Sequence, residues 1–373
     1  MRHPAREIPF DDLYAGLEAA RSAGLVVRQD CVSTGRAIYV YSQQCVYNQG
    51  WNEFALMARG LILHPGRRQV VATPFPKFFN VGEHGVTIPD APFEVFEKVD
   101  GSLAIIHHFD GAWRVATKGD FESAQARWAG RQLESAPVEA LRPGVTYLAE
   151  AVYPENRIVV RYPEAGLVLL GAYEPDGSEL SHEALLAVAG PMGWRVAARR
   201  AFASFADLIE HAKSLPATEE GFVARFAGGF RLKVKGNEYR RIHALISRCT
   251  PLAMWEAMRA GDDMAAIRRD LPEEFWADFD AITHCLSARL ESLRDRVARM
   301  ARELEGVSDK DLGLRLGTLD PETRRFIFQW RKSNGRLEGR ALDALYRQVR
   351  PTGNVLEGYA PSHAMHRVLD EAG

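Results

Sequence analysis

The sequence has few cysteines and no long apolar segment. Four cysteines occur in 373 residues and none belongs to a Cys-x-x-Cys pair, so neither a zinc ribbon nor a disulfide framework is indicated. No apolar run approaches the roughly 18 residues that a membrane-spanning helix needs. The start, Met1 to Pro4, leads into no apolar signal-peptide region. We therefore expect a cytoplasmic protein with reduced thiols and no membrane partner.

Excess charge of either sign is also missing. The chain carries 47 basic and 49 acidic residues, a formal net charge of −2, so a polyanionic partner would have to be bound by a local basic surface. Lysine is scarce, because only 8 of the 47 basic residues are lysine. A codon bias towards arginine would leave lysine mainly where a primary amine is needed, since lysine can be deprotonated and arginine stays charged.

The hydrophobic pattern divides the chain in two. An amphipathic helix is predicted over 8–23, and short β segments with three interspersed helical patterns fill about 25–245. Beyond this point the sequence has helical spacing almost throughout. We predict an α+β domain over 1–245 and a separate, all-helical domain over 246–373.

The strongest local signal is the Lys-x-Asp-Gly segment from Lys98 to Gly101, which lies between two predicted strands. A lysine at the end of a rigid strand, followed by a tight turn, suits a fixed amine nucleophile. Gly101 would let the backbone approach a ligand closely. The segment alone is weak evidence, because a β-hairpin with a solvated lysine has the same pattern.

A second signal is the lysine pair Lys233 and Lys235. On a strand both side chains point to one face, where two ammonium groups repel each other. An anion bound between them would explain the pair. Five of the eight lysines fall in motifs of this kind, beside glycines and carboxylates: Lys77, Lys98, Lys118, Lys233 and Lys235.

In this order, the motifs resemble the covalent nucleotidyltransferases, which include RNA ligases, DNA ligases and mRNA capping enzymes. Within that superfamily the sequence is most similar to the T4 RNA ligase 1-like family. The resemblance covers about residues 30–245, and none is evident in 246–373. It is carried by Arg59-Gly60, Lys77-Phe-Phe-Asn80, Lys98 to Gly101, Thr117-Lys118-Gly119, Glu150, Glu155 to Val159, Glu219 to Val223, Lys233 with Lys235, and Tyr239.

The resemblance implies an adenylation domain of antiparallel sheets with flanking helices, similar to ATP-grasp and ligase domains. It also implies ATP as a substrate and Mg²⁺ or Mn²⁺ as the metal. Lys98 would attack the α-phosphorus of ATP to form lysyl-AMP, and AMP would pass to an RNA 5′-phosphate. An RNA 3′-hydroxyl would then displace AMP. The implied partner is RNA with 5′-phosphate and 3′-hydroxyl ends, with tRNA repair as one candidate role.

The resemblance also implies a role for each site residue. Lys98 is the nucleophile, Glu220 a metal ligand, and Glu150 a ligand of the metal or the ribose. The other expected contacts to ATP, AMP or an RNA phosphate are Arg59, Lys77, Phe79, Asp100, Gly101, Lys118, Lys233 and Lys235. We expect Lys233, Lys235 and a bound metal to depress the pKa of Lys98 and free its lone pair.

The helical domain carries a basic segment, residues 324–350. It has the composition of an RNA-phosphate patch or of a solvated helix face. The RNA-binding candidates within it are Arg324, Arg325, Arg331, Lys332 and Arg336.

Several alternatives remain open. A DNA ligase or a capping enzyme would usually continue into a β-rich OB-fold, whereas this chain becomes helical after Lys235. A catalytically inactive RNA-binding protein would not need Lys98. A Schiff-base enzyme would not need the pair Lys233 and Lys235. No Gly-x-x-x-x-Gly-Lys-[Ser/Thr] motif is present, so no kinase module is predicted. No heptad pattern predicts an oligomeric state.

Overall fold

The computed structural model describes residues 2–156, 159–271 and 275–362. The chain forms two compact units, Met1–Arg241 and Ile242–Ala372. The boundary between them falls within the helix Asn237–Arg248, and the boundary expected after residue 245 lies in the same helix.

The first unit contains three β-sheets. The first sheet is antiparallel, with strand order β1-β2-β3-β4; the second has the order β11-β10-β9-β7-β8 and the third β12-β6-β13-β14-β5. The strands are β1 (Val26–Cys31), β2 (Arg36–Tyr41), β3 (Arg59–His64), β4 (Gln69–Ala72), β5 (Phe79–Asn80), β6 (Phe93–Glu97), β7 (Ser102–Phe109), β8 (Ala112–Ala116), β9 (Thr146–Val152), β10 (Gly166–Tyr173), β11 (Arg195–Val196), β12 (Arg199–Arg200), β13 (Gly221–Phe226) and β14 (Arg231–Lys235).

The expectation of antiparallel sheets was wrong at two edges. Strand β11 pairs in parallel with β10, and β5 pairs in parallel with β14. Between β10 and β11 the chain crosses back through a helix, which is the connection that parallel neighbours require. Strands β5 and β14 are far apart in sequence, so no short turn fixes their direction.

Both units contain helices. The helices are α1 (Pro4–Glu7), α2 (Phe10–Ser22), α3 (Gln43–Tyr47), α4 (Glu53–Met57), α5 (Ala124–Glu134), α6 (His182–Met192), α7 (Phe205–Lys213), α8 (Asn237–Arg248), α9 (Pro251–Ala260), α10 (Met264–Asp270), α11 (Trp276–Glu303), α12 (Asp309–Arg315), α13 (Ile327–Lys332) and α14 (Arg340–Gln348). Helices α5, α6 and α7 are the three expected among the β segments. In the described part of the chain, no helix is long and apolar enough to cross a membrane.

The second sheet is covered on both faces. Alternate residues of β9, such as Tyr147 and Ala149, join a core with α5 and α6, while Leu148 joins a core shared with the first sheet. Every residue of β9 is therefore buried, which is typical of a central strand covered on both sides. Glu150 shares the strand face of Leu148, so a carboxylate is held in the interior of the unit.

The third sheet packs on α7 through a separate core that includes Val95, Leu208 and Leu232. The Lys98–Gly101 segment leaves β6 in this sheet and enters β7 in the second sheet. It thus connects two sheets and is not the turn of a β-hairpin.

The second unit has its own apolar core. The long helix α11 buries one face, including Leu286, Leu293 and Met300, and Met300 packs with Leu312 and Ile327. The described residues of this unit form helices and no strand.

Candidate active site

Lys98 lies where the chain passes from the third sheet to the second. Its backbone N–H donates to the carbonyl of Gly221 at 2.9 Å, which continues the pairing of β6 with β13. Its Nζ donates to Oε2 of Glu220 at 2.6 Å. Lys98 is therefore held both at its backbone and at the amine that ends its side chain.

Glu220 links two lysines. Its side chain is only 2 % exposed, and its second oxygen lies 3.0 Å from Nζ of Lys235. Gly221 pairs with Lys235 in the register of β13 and β14 and adopts a φ of +139°. A Cβ at this position would lie 2.1 Å from the carbonyl oxygen of Val234. Only glycine lets the two strands approach closely beside Glu220.

The expected direction of the pKa shift at Lys98 was wrong for the protein without ligands. Burial lowers the pKa, but the carboxylates of Glu220 and Glu150 outweigh burial and raise the pKa of Lys98 above its ordinary range. Conversely, burial would raise the pKa of Glu220, yet Lys98 and Lys235 hold that pKa below its ordinary range. In this state the ammonium of Lys98 and the carboxylate of Glu220 stabilise each other.

Both carboxylate oxygens of Asp100 accept hydrogen bonds from within the protein. Its Oδ2 accepts the backbone N–H groups of Val159 and Val160, each at 2.9 Å, and its Oδ1 accepts the hydroxyl of Tyr239 at 2.9 Å. Burial and the nearby charge of Glu220 raise the pKa of Asp100. The geometry favours a role in positioning the Lys98 segment over the expected contact with a nucleotide.

Gly101 is needed for packing inside the protein. A Cβ there would lie 2.6 Å from the carbonyl oxygen of Ala151 and 3.0 Å from Cγ of Glu150. The missing side chain therefore lets the segment sit against β9, which brings Glu150 towards Lys98. Of the expected segment Glu155 to Val159, residues Arg157 and Ile158 lie outside the described residues.

Four further cations gather beside this group, and aromatic rings separate them. Nζ of Lys77 and Nζ of Lys118 each lie 5.3 Å from the ring centre of Tyr41. Arg59 and Lys233 share the ring of Phe78, at 5.5 and 4.8 Å. We call Arg59, Lys77, Lys118 and Lys233 the cation cluster.

As far as the structure describes the chain, the cation cluster has no directly paired carboxylate, although Glu83 lies close enough to act electrostatically on Lys77 and Lys233. Among the residues that the structure describes, none of its four members forms an ion pair with a carboxylate, and Nη1 of Arg59 is buried without a hydrogen-bond partner. Burial and the charge of Arg59 hold the pKa of Lys233 well below its ordinary range, and the pKa of Lys77 is lowered for the same reasons. Such a group of cations is a site for a polyanion.

The aromatic part of this site was largely missed from the sequence. Phe79 was expected, and it packs edge-on against Trp51 at 5.3 Å and beneath Lys77. Tyr41 and Trp51 belong to no recognisable motif, and Phe78 stands inside the Lys77 motif without an assigned role. Burial would raise the pKa of Tyr41, but Lys118 and Lys77 outweigh burial and lower it.

The metal-ligand candidates are Glu150 and Glu220. Carboxylate oxygens suit Mg²⁺, which is typically held by one or two carboxylates together with substrate phosphates and water. Within the described ranges, no group of three or more His, Cys, Asp or Glu side chains could hold a metal. The two carboxylates fit such a shared site, although Glu220 would have to loosen at least one of its lysine contacts.

The part of the sequence that contains these side chains matches a known protein family. The sequence model of an RNA ligase family of the T4 RNA ligase 1 type matches residues 57–239. Residues 57–239 belong to the T4 RNA ligase 1-like family. This segment contains every expected site residue of the first unit, from Arg59 to Lys235.

Two curated relatives support the assignment of the RNA ligase segment. A putative RNA ligase of Thermovibrio ammonificans is 30% identical over 203 residues, which cover 50% of this chain and 52% of that protein. A putative bifunctional polynucleotide kinase/RNA ligase of Autographa californica nuclear polyhedrosis virus is 27% identical over 243 residues, 56% of this chain and 34% of that protein. The chain thus spans about half or less of the length of these relatives.

A solved structure of an archaeal ATP-dependent RNA ligase aligns with a TM-score of 0.49 and 17% identity. The alignment covers 92% of this chain and 89% of that one.

The five RNA-binding candidates lie outside the RNA ligase segment, and the structure divides them. Arg324 donates to the carbonyl of Leu316 at 3.2 Å, and Arg331 contacts Asp309 at 2.8 Å and the carbonyl of Leu304 at 2.7 Å. These two arginines therefore make contacts within the second unit. The exposed candidates are Arg325, Lys332 and Arg336.

Proposed function

We propose that this protein is an ATP-dependent RNA ligase. It joins RNA 3′-hydroxyl and 5′-phosphate ends through lysyl-AMP and RNA-adenylate intermediates, in RNA repair with tRNA as one candidate substrate. The observation that carries the proposal is the cation cluster beside a partly buried, fixed lysine. The family of residues 57–239 and the RNA ligase names of the curated relatives support it.

In the first step, Nζ of Lys98 forms a bond to the α-phosphorus of ATP, and the bond from that phosphorus to the pyrophosphate oxygen breaks. Lys98 must first lose a proton, because only the free amine has a lone pair. The nearest acceptor oxygen is Oε2 of Glu220 at 2.6 Å. In the ion pair this oxygen keeps the proton on Lys98, so a nucleotide that separates the two groups removes that stabilisation and the proton then passes to water.

The negative charge of the triphosphate is balanced by the cation cluster and Lys235. Four basic side chains without a direct carboxylate partner among the described residues are already in place before ATP binds, so little reorganisation is needed when charge shifts to the leaving pyrophosphate. Mg²⁺ or Mn²⁺, held by Glu150 and Glu220 together with phosphate oxygens, would neutralise further charge on the phosphates.

The remaining steps use the same site. AMP passes from Lys98 to the 5′-phosphate of RNA, which frees the amine. The RNA 3′-hydroxyl then attacks that phosphate and AMP leaves, so a phosphodiester forms and the enzyme returns to its first state.

The deciding experiment is label transfer from α-³²P-ATP with Mg²⁺ or Mn²⁺, read on a denaturing gel. We expect an acid-labile, base-stable protein–AMP adduct in the wild type and in Lys213→Ala, whose exposed lysine lies on α7, but none in Lys98→Ala. Sealing of 5′-phosphorylated RNA but not DNA separates an RNA ligase from a DNA ligase, and label transfer from GTP would indicate a capping enzyme. Absence of any adduct, from protein free of bound AMP, contradicts the proposal.

A further inference from the structure

The second unit exposes one helix face that its own packing does not use. A 3₁₀ turn, Arg324–Phe326, continues directly into α13, so residues 324–332 form one short helical segment. Phe326 and Ile327 are buried in the core of the unit. The opposite face presents Arg325, Phe328, Gln329 and Lys332, and we call these four residues the basic stripe.

The spacing of the basic stripe places its members side by side. Positions i, i+3, i+4 and i+7 lie within about one quarter of the circumference of an α-helix. All four residues are exposed, and Phe328 is 39 % exposed. The partly exposed ring of Phe328 therefore lies on the same face as two cations.

The basic residues around the stripe have divided roles. Arg324 and Arg331 are turned inward to Leu316, Asp309 and Leu304. In the described part of the chain, Arg325 and Lys332 form no ion pair with a carboxylate. The sequence from Arg324 to Arg336 contains no acidic residue. The four residues of the stripe thus carry positive charge only, with Asp309 nearby as the partner of Arg331, and the exposed Arg336 follows the stripe.

We propose that the basic stripe binds single-stranded RNA, with Phe328 stacking on a base and Arg325 and Lys332 contacting the phosphates on either side. This inference rests on the proposed function, because the bound strand would be the RNA that the enzyme seals. Arg325 and Lys332 are seven residues apart, about 10 Å along a helix, which leaves room for a base between them.

Single-stranded RNA fits this surface better than a duplex does. An aromatic side chain can stack only on a base that is not already paired and stacked, whereas cations contact the backbone of either form. The combination of one exposed ring with flanking cations is the usual composition of a single-strand site. We therefore expect loops and free ends to bind in preference to a continuous duplex.

The test is fluorescence anisotropy of a labelled 5′-phosphorylated single-stranded RNA with the full-length protein. We expect Arg325→Gln/Lys332→Gln to weaken binding about tenfold and to reduce the slope of log K against log salt by about 1.4, since each phosphate contact contributes about 0.7. Phe328→Ala should weaken binding about tenfold, while Phe328→Tyr, which keeps the ring, should bind as the wild type does.

A matched control removes the same charge elsewhere in the unit. Arg269→Gln/Lys310→Gln takes one arginine and one lysine from exposed positions on α10 and α12, and it should retain the wild-type affinity and salt slope. Equal losses in both double variants, or unchanged RNA binding in the stripe variants, would overturn the proposal. Unchanged RNA binding in the stripe variants would mean that this face contacts a protein partner or only solvent.

A failure of the basic-stripe proposal can be distinguished from a failure of the proposed ligase function. Adduct formation from ATP without RNA should be the same in the wild type and all stripe variants, because the stripe takes no part in that step. A normal adduct with unaltered RNA binding contradicts only the stripe. Loss of the adduct in the wild type contradicts the ligase activity, and the anisotropy result still decides whether the stripe binds RNA.

Discussion

At the scale of single residues, two lysines of the site have opposite electrostatic surroundings. Lys98 faces Glu220 and Glu150, and these carboxylates raise the pKa of Lys98 although partial burial opposes the shift. Lys233 faces Arg59, Lys98 and Lys77, so that burial and like charges both lower the pKa of Lys233. The proposed nucleophile is thus the lysine that holds its proton more firmly before ATP binds.

This contrast predicts an order of amine reactivity in the protein without nucleotide. A lowered pKa means more free amine at a given pH, so Lys233 should be acetylated at lower pH than Lys98 by trace acetic anhydride. Glu220→Gln removes the main contact that holds the proton on Lys98 and should move its labelling midpoint to lower pH, whereas Glu219→Gln should not. The measurement is mass spectrometry of peptides across a pH series, with a model lysine amide as reference. If Lys98 reacts before Lys233 in the wild type, the assignment of charges is wrong.

Part of this site could be predicted from the sequence. The Lys98 segment and the pair Lys233 and Lys235 are local sequence patterns. Where such patterns lie on strands, the relative directions of their side chains follow from the strand alone. The direction of the pKa shift of Lys98 could not be predicted, because it depends on a contact with Glu220, which lies 122 positions away along the chain. Tyr41 and Trp51 were missed for the same reason, since only the fold brings them to Lys77.

At the scale of secondary-structure elements, the close pairing of β13 with β14 positions the site. Gly221 starts β13 opposite Lys235, and its backbone has a φ that other residues rarely adopt. Glu220 precedes it directly, so a displacement of Gly221 would also displace the carboxylate between the two lysines. The geometry of one strand end therefore controls the electrostatics of Lys98.

We expect Gly221→Ala to destabilise the protein by about 2–4 kcal/mol, because the added Cβ meets the carbonyl of Val234 at 2.1 Å in a strained conformation. The matched control is Gly130→Ala in α5, where a Cβ meets no other atom within 4 Å. That change should stabilise by about 0.5–1 kcal/mol, since alanine favours helix. Urea unfolding with fluorescence detection measures both. A neutral Gly221→Ala would show that the strand end can relax.

Hydrophobic patterns located α2, α5, α6 and α7 and many of the strands of the first unit, but they missed the short helices α3 and α4. They did not reveal the two parallel edge pairs, since periodicity carries no strand direction. The same limit hid the role of the Lys98–Gly101 segment, which resembles a hairpin turn locally but connects two sheets.

At the scale of the whole molecule, the chain has two compact units with separate cores. The cation cluster, Lys98 and Glu220 all lie in the first unit, within the RNA ligase segment. The basic stripe lies in the second unit, where no family resemblance guided the sequence analysis. The two proposals thus place the chemistry on ATP and on the RNA ends in the first unit, and an additional contact with the RNA strand in the second.

Separate cores predict two unfolding transitions, of which ATP should shift only one. Under the proposed function ATP binds the folded first unit, so a free concentration about 100-fold above its Kd should stabilise that unit by about 2.7 kcal/mol. The second unit has no assigned contact with ATP, and its transition should stay in place. Differential scanning calorimetry of the full chain, with ATP and without divalent metal, measures both midpoints. A single transition that ATP moves as a whole would show that the two units unfold as one cooperative body.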